Sequence, residues 1–297
     1  MSRTATILAI VVIAAIGLAG CNGADQKAEN KSAPPPPSAA EDGKRASQLV
    51  RNQSSAEKPS KVTLLRVPNG GIQPQAVVDA KGTLHLIYFK GEAGAGDLFY
   101  VHRKAGKERF SDPIRVNSQS GSAIAVGTIR GGHIALGKAG RVHVAWNGSG
   151  KGKQAEGMLY ARLNDSGAAF EEQRDLMQGT EILDGGGSVA ADASGNVYVV
   201  WHALKKGSER GEGHRQVWVA RSADEGKSFT KGTPAWTEAT GACGCCGLRA
   251  FADSRGSAYV LYRSANGGDN RDVYLLAGKQ KDASFRGALV HKWKVPG

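Results

Sequence analysis

Ser222-Ala223-Asp224-Glu225-Gly226-Lys227-Ser228-Phe229 closes a pattern that this chain writes four times. In each unit a short apolar run leads into a turn with glycine. A longer apolar run then ends in an aromatic, a third run follows, and a phenylalanine comes after it. The turn glycines are Gly82, Gly140, Gly195 and Gly256, spaced 58, 55 and 61 residues apart. The late phenylalanines are Phe110, Phe170, Phe229 and Phe285, each seven residues beyond a matched third-strand position: Arg103, Leu163, Ser222 and Gly278. Two independent landmarks therefore report one period. A four-stranded sheet cannot bury both of its faces alone and must stack on its neighbours, so a repeat of this length predicts an all-β fold, a β-propeller with four blades visible.

The strands follow from the apolar runs. First strands are expected at 75–79 and 188–192, and second strands at 83–89, 141–146, 196–201 and 257–262. Third strands are expected at 98–103, 158–163, 217–222 and 273–277, with fourth strands polar and weakly written. Continuous apolar runs imply sheets covered on both faces. The aromatics that end the second strands, Tyr88, Trp146, Trp201 and Tyr262, form a ring expected to be mostly core, with stacking available at one rim. Residues 62–67 read as one further strand, belonging to a unit before the first.

Ser222, Asp224, Gly226 and Phe229 stand in the order Ser-x-Asp-x-Gly-x-x-aromatic. This resembles the Asp box of bacterial neuraminidase repeats, found in sialidases and in many non-catalytic relatives. Asp165, Gly167 and Phe170 form a partial copy, with Leu163 in place of the serine. The box has a local role, in which Ser and Asp oxygens accept backbone N–H groups, Gly supplies the turn angles, and the aromatic plugs inward between the third and fourth strands. Asp224 is thus expected to staple a hairpin and not to act as a catalytic acid. The resemblance implies a six-bladed propeller. Four units and a stray strand then leave two readings: a chain truncated from a longer sialidase-like protein, which is favoured, or a ring closed by four blades.

The N-terminus gives the expected compartment. Arg3 precedes an apolar run at 7–18, too short for a stable membrane span and suited to a secretory signal. It ends in Leu18-Ala19-Gly20-Cys21, which resembles a bacterial lipobox and implies lipidation of Cys21 in a signal peptide at 1–21. Several acyl chains on one residue anchor a protein firmly, and Asn22, in place of an Asp, points to the outer membrane of the cell envelope. Residues 22–60, rich in Ala, Ser, Lys, Glu and Gln with prolines at 34–37, have too little apolar pattern to fold and form a tether. Residues 61–297 make up the propeller domain.

The chemistry-bearing residues cluster where first strands begin. Counting four residues back from Asp79, Gly137, Asp192 and Asp253 gives Gln75, His133, Ser188 and Arg249. Eight back gives Gly71, Ile129, Asp184 and Cys245. Side chains alternate along a strand, so these rows share a face, and His133, Asp184, Cys245 and Arg249 are expected to converge at one channel mouth. With Cys21 lipidated, Cys243, Cys245 and Cys246 leave an odd number of thiols within four positions. A disulfide, a soft metal completed by His133 or His202, and unmodified or reactive thiols all remain open. No other cofactor is implied.

A sialidase also needs an arginine triad to hold a carboxylate, a Tyr/Glu nucleophile pair and an acid. Arg66, in Leu65-Arg66-Val67-Pro68, together with Arg249 and Arg263 are the candidate cations, and no catalytic residue can be picked. The tether has six Lys or Arg against five Asp or Glu, and Arg3 precedes it. All but two of the formal +12 charges therefore fall on residues 61–297, a bias that suits anionic glycans or acidic proteins as partners. No nucleic-acid motif is present. The expected function is a lipid-anchored, sialidase-like propeller that binds an anionic ligand at His133, Asp184, Arg249 and Arg263 without catalysis, the alternative being an exo-acting sialidase.

Overall fold

The computed structural model describes residues 64–127, 131–150, 156–267 and 269–295. The signal-like segment, Cys21, the tether and Ile129 lie outside them. The described chain builds four antiparallel sheets in sequence. The first is β1 (Ile72–Val78), β2 (Leu84–Glu92), β3 (Ala95–Arg103) and β4 (Ile114–Arg115). The second is β5 (His133–Leu136), β6 (Val142–Asn147), β7 (Met158–Arg162) and β8 (Arg174–Asp175). The third adds a short strand, β9 (Thr180–Glu181), to β10 (Ser188–Ala191), β11 (Val197–Lys205), β12 (Gln216–Ser222) and β13 (Thr233–Pro234). The fourth is β14 (Leu248–Ala252), β15 (Ser257–Arg263), β16 (Val273–Lys279) and β17 (Arg286–His291). Each strand pairs with the next in its blade, and the chain is a β-propeller of four-stranded blades. The unforeseen β9 pairs with the far end of β11.

Hairpin chemistry recurs between the first two strands of three blades. Asp79 Oδ1 accepts the N–H groups of Lys81 and Thr83, Asp192 Oδ1 those of Ser194 and Asn196, and Asp253 Oδ1 those of Arg255 and Ser257, at 2.7–3.0 Å. These Asx turns satisfy donors that a tight reversal would leave unpaired. They fix where each of these innermost strands ends and its partner begins. The innermost strands then stack in chain order, β1 on β5, β5 on β10 and β10 on β14.

Three apolar cores fill the spaces between successive blades. One joins Ile87, Phe89 and Leu98 to Val144, Trp146 and Leu159; the next joins Met158 and Tyr160 to Val199 and Trp201; the last joins Tyr198 and Val200 to Val260 and Leu276. The middle blades are accordingly buried on both faces along β6 and along all of β11 but its last residue. In the outer blades burial alternates along β1 and through most of β15, and Phe251 and Leu261 are 64% and 44% exposed, so one face of the last blade is uncovered. The continuous apolar runs mark two-sided cover in β2, β6 and β11 but not in the last blade. Tyr88, Trp146, Trp201 and Tyr262 are all buried, so the aromatic ring is core. Leu64–Val67, the described part of the expected extra strand, has no strand pairing. Val67 instead packs on a small core of Leu86, Tyr88 and Val101.

Three of the four late phenylalanines also reach the preceding blade, whereas Phe110 packs on Leu86, Tyr88 and Val101 of its own. Phe170 meets Tyr100 of the first blade edge-on at 5.8 Å, Phe229 meets Tyr160 of the second at 4.7 Å, and Phe285 meets Tyr198 of the third at 6.4 Å. Edge-to-face geometry at these distances adds to area burial. In the first two blades that tyrosine stands on the third strand, and its hydroxyl meets a histidine across the hairpin: His85 with Tyr100 and His143 with Tyr160, both at 2.7 Å. In the third blade the tyrosine sits on the second strand instead, and it still reaches the incoming ring.

The turn before Phe229 is held as its residue types require. Ser222 Oγ accepts the N–H groups of Gly226 at 2.8 Å and Asp224 at 3.3 Å and donates to Asp224 Oδ1 at 2.6 Å. Ser228 donates to Asp224 through both its N–H and its hydroxyl. Burial works against the Asp224 carboxylate, but the bonds from Ser222 and Ser228 outweigh it and hold the group down at about 2. Arg174 lies over Tyr160 and Phe229 and donates to the carbonyls of Gly226 and Lys227, so the turn is clamped by the preceding blade. In the second unit the capping oxygen is that of Asn164, which accepts from Ser166, Ala168 and Ala169. Asp165 is turned outward to pair with Arg141. The partial copy thus caps one residue earlier than its sequence suggests, because Leu163 supplies no hydroxyl.

Ser222→Ala is expected to cost about 1–3 kcal/mol, the penalty for stranding buried N–H groups, read from the urea midpoint. Gly226→Ala is expected to cost more, since Gly226 has φ of 77° and an added Cβ would overlap the Tyr160 hydroxyl. The contribution of Asp224 should be complete above its ordinary value of 3.8 and fade as pH falls toward 2.

Candidate functional site

Gln75, His133, Ser188 and Arg249 pair across their hairpins with Ile87, Ala145, Val200 and Leu261, each five residues past its turn glycine. The row therefore lies at one depth on the innermost strands. Ser188 Oγ accepts the N–H of Ala250 at 3.0 Å, tying β10 to β14. Arg249 Nη1 lies 3.2 Å from both ring nitrogens of His133, so the guanidinium of the last blade meets the imidazole of the second. Burial, reinforced by that positive charge, pushes His133 down to about 3 and keeps it neutral.

The second row belongs to lead-in loops. Asp184 precedes β10, and Cys245 lies in a short 3₁₀ turn, Gly244–Cys246, just before β14. The cysteine loop is held from three directions. Cys243 N–H donates to Arg263 O at 2.9 Å, Gly244 N–H to Glu212 Oε1 at 3.2 Å, and Ala242 N–H to Glu212 O at 3.0 Å. Glu212 in turn holds Arg271 at 2.9 Å and Arg215 at 3.4 Å, and Arg215 reaches Asp184 at 2.9 Å. A Cβ at Gly244 would stand 2.7 Å from the Asp184 carboxyl, so only glycine lets these two loops approach.

The three thiols face one another, with Sγ–Sγ distances of 3.1 Å for Cys243–Cys245, 3.0 Å for Cys243–Cys246 and 3.6 Å for Cys245–Cys246. Cys243 is buried and Cys245 exposed. Burial, then hydrogen bonding to the other two sulfurs, pushes the Cys243 thiol up to about 12. Burial opposes ionisation of Cys246 as well, but bonds from Cys243, Cys245 and Arg263 outweigh it and lower its thiol below the usual range. Arg263 Nη1 stands 3.2 Å from Cys246 Sγ, and its guanidinium stacks on Trp293 at 4.6 Å.

Beside the loop opens a recess of about 490 Å³ lined by Cys246, Leu248, Arg249, Leu261, Tyr262 and Arg263. Two of the three candidate arginines thus share one cavity, whereas Arg66 lies on the exposed lead-in to the first blade. The Tyr262 hydroxyl is bonded to Thr240 Oγ1 at 2.6 Å, and burial raises it to about 12. His202 is buried, with neither ring nitrogen hydrogen-bonded, and burial with the nearby Arg215 lowers it to about 4. Among the described residues the clustered soft-ligand atoms are the three sulfurs, with neither His133 nor His202 joining them. Glu212, Arg215 and Arg271 were not foreseen. They stand in a charged glycine-rich loop and a hairpin, and nothing in their spacing signals that they meet from two blades.

No family model matches the chain, and no curated protein matches it. Among solved structures it is similar to a protein of unknown function from Dyadobacter fermentans, at 14% identity and a TM-score of 0.47, over 73% of this chain and 68% of that one. It is also similar to the α-L-arabinanase of Penicillium chrysogenum, at 12% identity and 0.46, over 75% and 67%. The NanB sialidase of Streptococcus pneumoniae, in a mutant form, is a third, at 13% identity and 0.43, over 65% of this chain and 27% of that one. The chain thus spans about a quarter of the sialidase's length. At these scores the fold assignment rests on the four sheets themselves.

His133 and His143 are each lowered to about 3 and His202 to about 4, all by burial first, so the folded protein holds three neutral imidazoles that the unfolded chain would protonate below 6.5. The unfolded state then binds more protons. Stability should be complete above pH 6.5 and fall between 6.5 and about 4, by about 1 kcal/mol per pH unit for each histidine. Urea unfolding at pH 7, 6 and 5 measures this slope, and His143→Gln should flatten it by about a third.

Proposed function

We propose that the chain is an envelope lipoprotein whose propeller binds an anionic ligand, a glycan carboxylate or sulfate or an acidic protein segment, without hydrolysing it. One observation carries the reading: the recess is lined by Arg249 and Arg263, while no Asp or Glu stands among its lining residues. Two guanidiniums with apolar walls suit recognition of an anion by charge-assisted bonds. Glycoside hydrolysis ordinarily needs a pair of carboxyl groups, or in sialidases a tyrosine nucleophile, flanking the scissile bond. Asp184, beside the cysteine loop, is engaged by Arg215, and the Tyr262 phenol, bonded to Thr240, is held well above the range of a poised nucleophile. The runner-up, an exo-acting sialidase, requires groups that these lining residues do not supply. The anchor belongs to the same reading: Cys21, lipidated, tethers the propeller through residues 22–60.

An array of sialylated, uronic-acid-containing and sulfated glycans should return acidic binders, and a chromogenic sialoside should show no turnover. Arg249→Ala and Arg263→Ala should each weaken binding roughly tenfold to a hundredfold, the loss of a charged hydrogen bond, with the fold retained. Turnover abolished by those substitutions would overturn the binding reading in favour of an enzyme. Separately, Cys21→Ser should move the protein from the membrane to the soluble fraction. An unmodified Cys21 in the mature wild type would refute the anchor.

A further inference from the structure

We propose that Cys243, Cys245 and Cys246 form a three-thiolate site for a soft monovalent cation of the Cu(I) type. The geometry argues first against a disulfide as the resting arrangement. All three sulfurs converge at 3.0–3.6 Å, each facing both others, with no pair drawn out as a bonded couple near 2.05 Å. One disulfide would use two of them and leave the third without a purpose for its placement. Three sulfurs around one ion at about 2.3 Å would stand roughly 4 Å apart. Each side of the observed triangle must open by roughly 0.4–1 Å to reach that spacing, a movement that the exposed Cys245 and the half-buried Cys246 can make together.

The ligand count selects the ion. The sulfurs are the whole cluster, with no imidazole or carboxylate among the described residues within its 4.8 Å span. Zinc takes four ligands, all from the protein in a structural site or three with a water in a catalytic one, whereas an all-thiolate set of three satisfies Cu(I) outright. Three thiolates and a monovalent cation carry a net charge of −2, and Arg263, 3.2 Å from Cys246 Sγ, lies where it offsets part of that charge. Outer partners that fix the ligands belong to a built metal site. Here Glu212 accepts the N–H of Gly244, Arg263 O accepts that of Cys243, and Arg215 and Arg271 hold Glu212 in place. The loop's shape is thus set by neighbours from outside it. This site adjoins the anion recess through Cys246 and Arg263, but its occupancy does not depend on what that recess binds.

The test uses the full chain with Cys21→Ser in every sample, so that only the loop thiols are counted, kept oxygen-free with a non-thiol reductant. Cu(I) is titrated in competition with the chelator bathocuproine disulfonate. One copper per chain should be retained, with only sulfur neighbours near 2.3 Å by X-ray absorption. Cys243→Ser/Cys245→Ser/Cys246→Ser should lose it. Because the buried Cys243 can affect folding, Cys245→Ser serves as the second variant. Its exposed side chain should leave the melting temperature unchanged while affinity falls more than about a hundredfold, beyond the loss from an outer-shell partner. Copper surrendered to the chelator, copper retained by the triple variant, zinc held in preference to copper, or a single free thiol in a parallel sample purified without reductant would each overturn the site.

Discussion

The rest of the structure depends on the stacking of apolar sheet faces. A blade of four strands cannot shield two apolar faces by itself, so each blade is completed by the next, and the contact is made specific by one aromatic at each of the three blade junctions. Phe170, Phe229 and Phe285 each reach back to a tyrosine of the preceding blade. The third blade shows that the contact, and not the position, is what is kept: Tyr198 stands on a different strand from Tyr100 and Tyr160 yet meets its phenylalanine. The turn leading to each phenylalanine must be rigid for the ring to arrive at the right place. Capping by Ser222 and Asp224 in one blade and by Asn164 in another serves that end with different side chains.

The same stacking sets the electrostatics. Because the blades are closely packed, histidines near the inner and middle strands are held neutral by burial, and the arginines around them deepen the effect. The site residues escape this only where loops lead into innermost strands. There the chain is irregular, glycine permits close approach at Gly244, and charged groups from two blades meet. Propeller frameworks place function in such loops because the strands that carry them do not move. The recess beside β14 is a product of that arrangement and of the uncovered face of the last blade.

Much of the fold was legible in the residues. Apolar runs and turn glycines have a fixed local meaning, so the second and third strands lie where the sequence puts them, to within a few residues at their ends. The shared depth of Gln75, His133, Ser188 and Arg249 follows from the same count, because the Asx turns at Asp79, Asp192 and Asp253, and the matching backbone turn at Gly137, close each innermost strand in register with its partner. The sequence alone also determined that three thiols lie within four positions. Tertiary structure decided what each of these faces. Exposure of one face of the last blade, the turn of Asp165 away from its box, the failure of residues 64–67 to pair as a strand, and the burial of the aromatic ring depend on which surface a neighbouring blade covers. The grip of Glu212, Arg215 and Arg271 on the cysteine loop was likewise invisible, because it joins residues up to 59 positions apart whose side chains meet only when two blades stack.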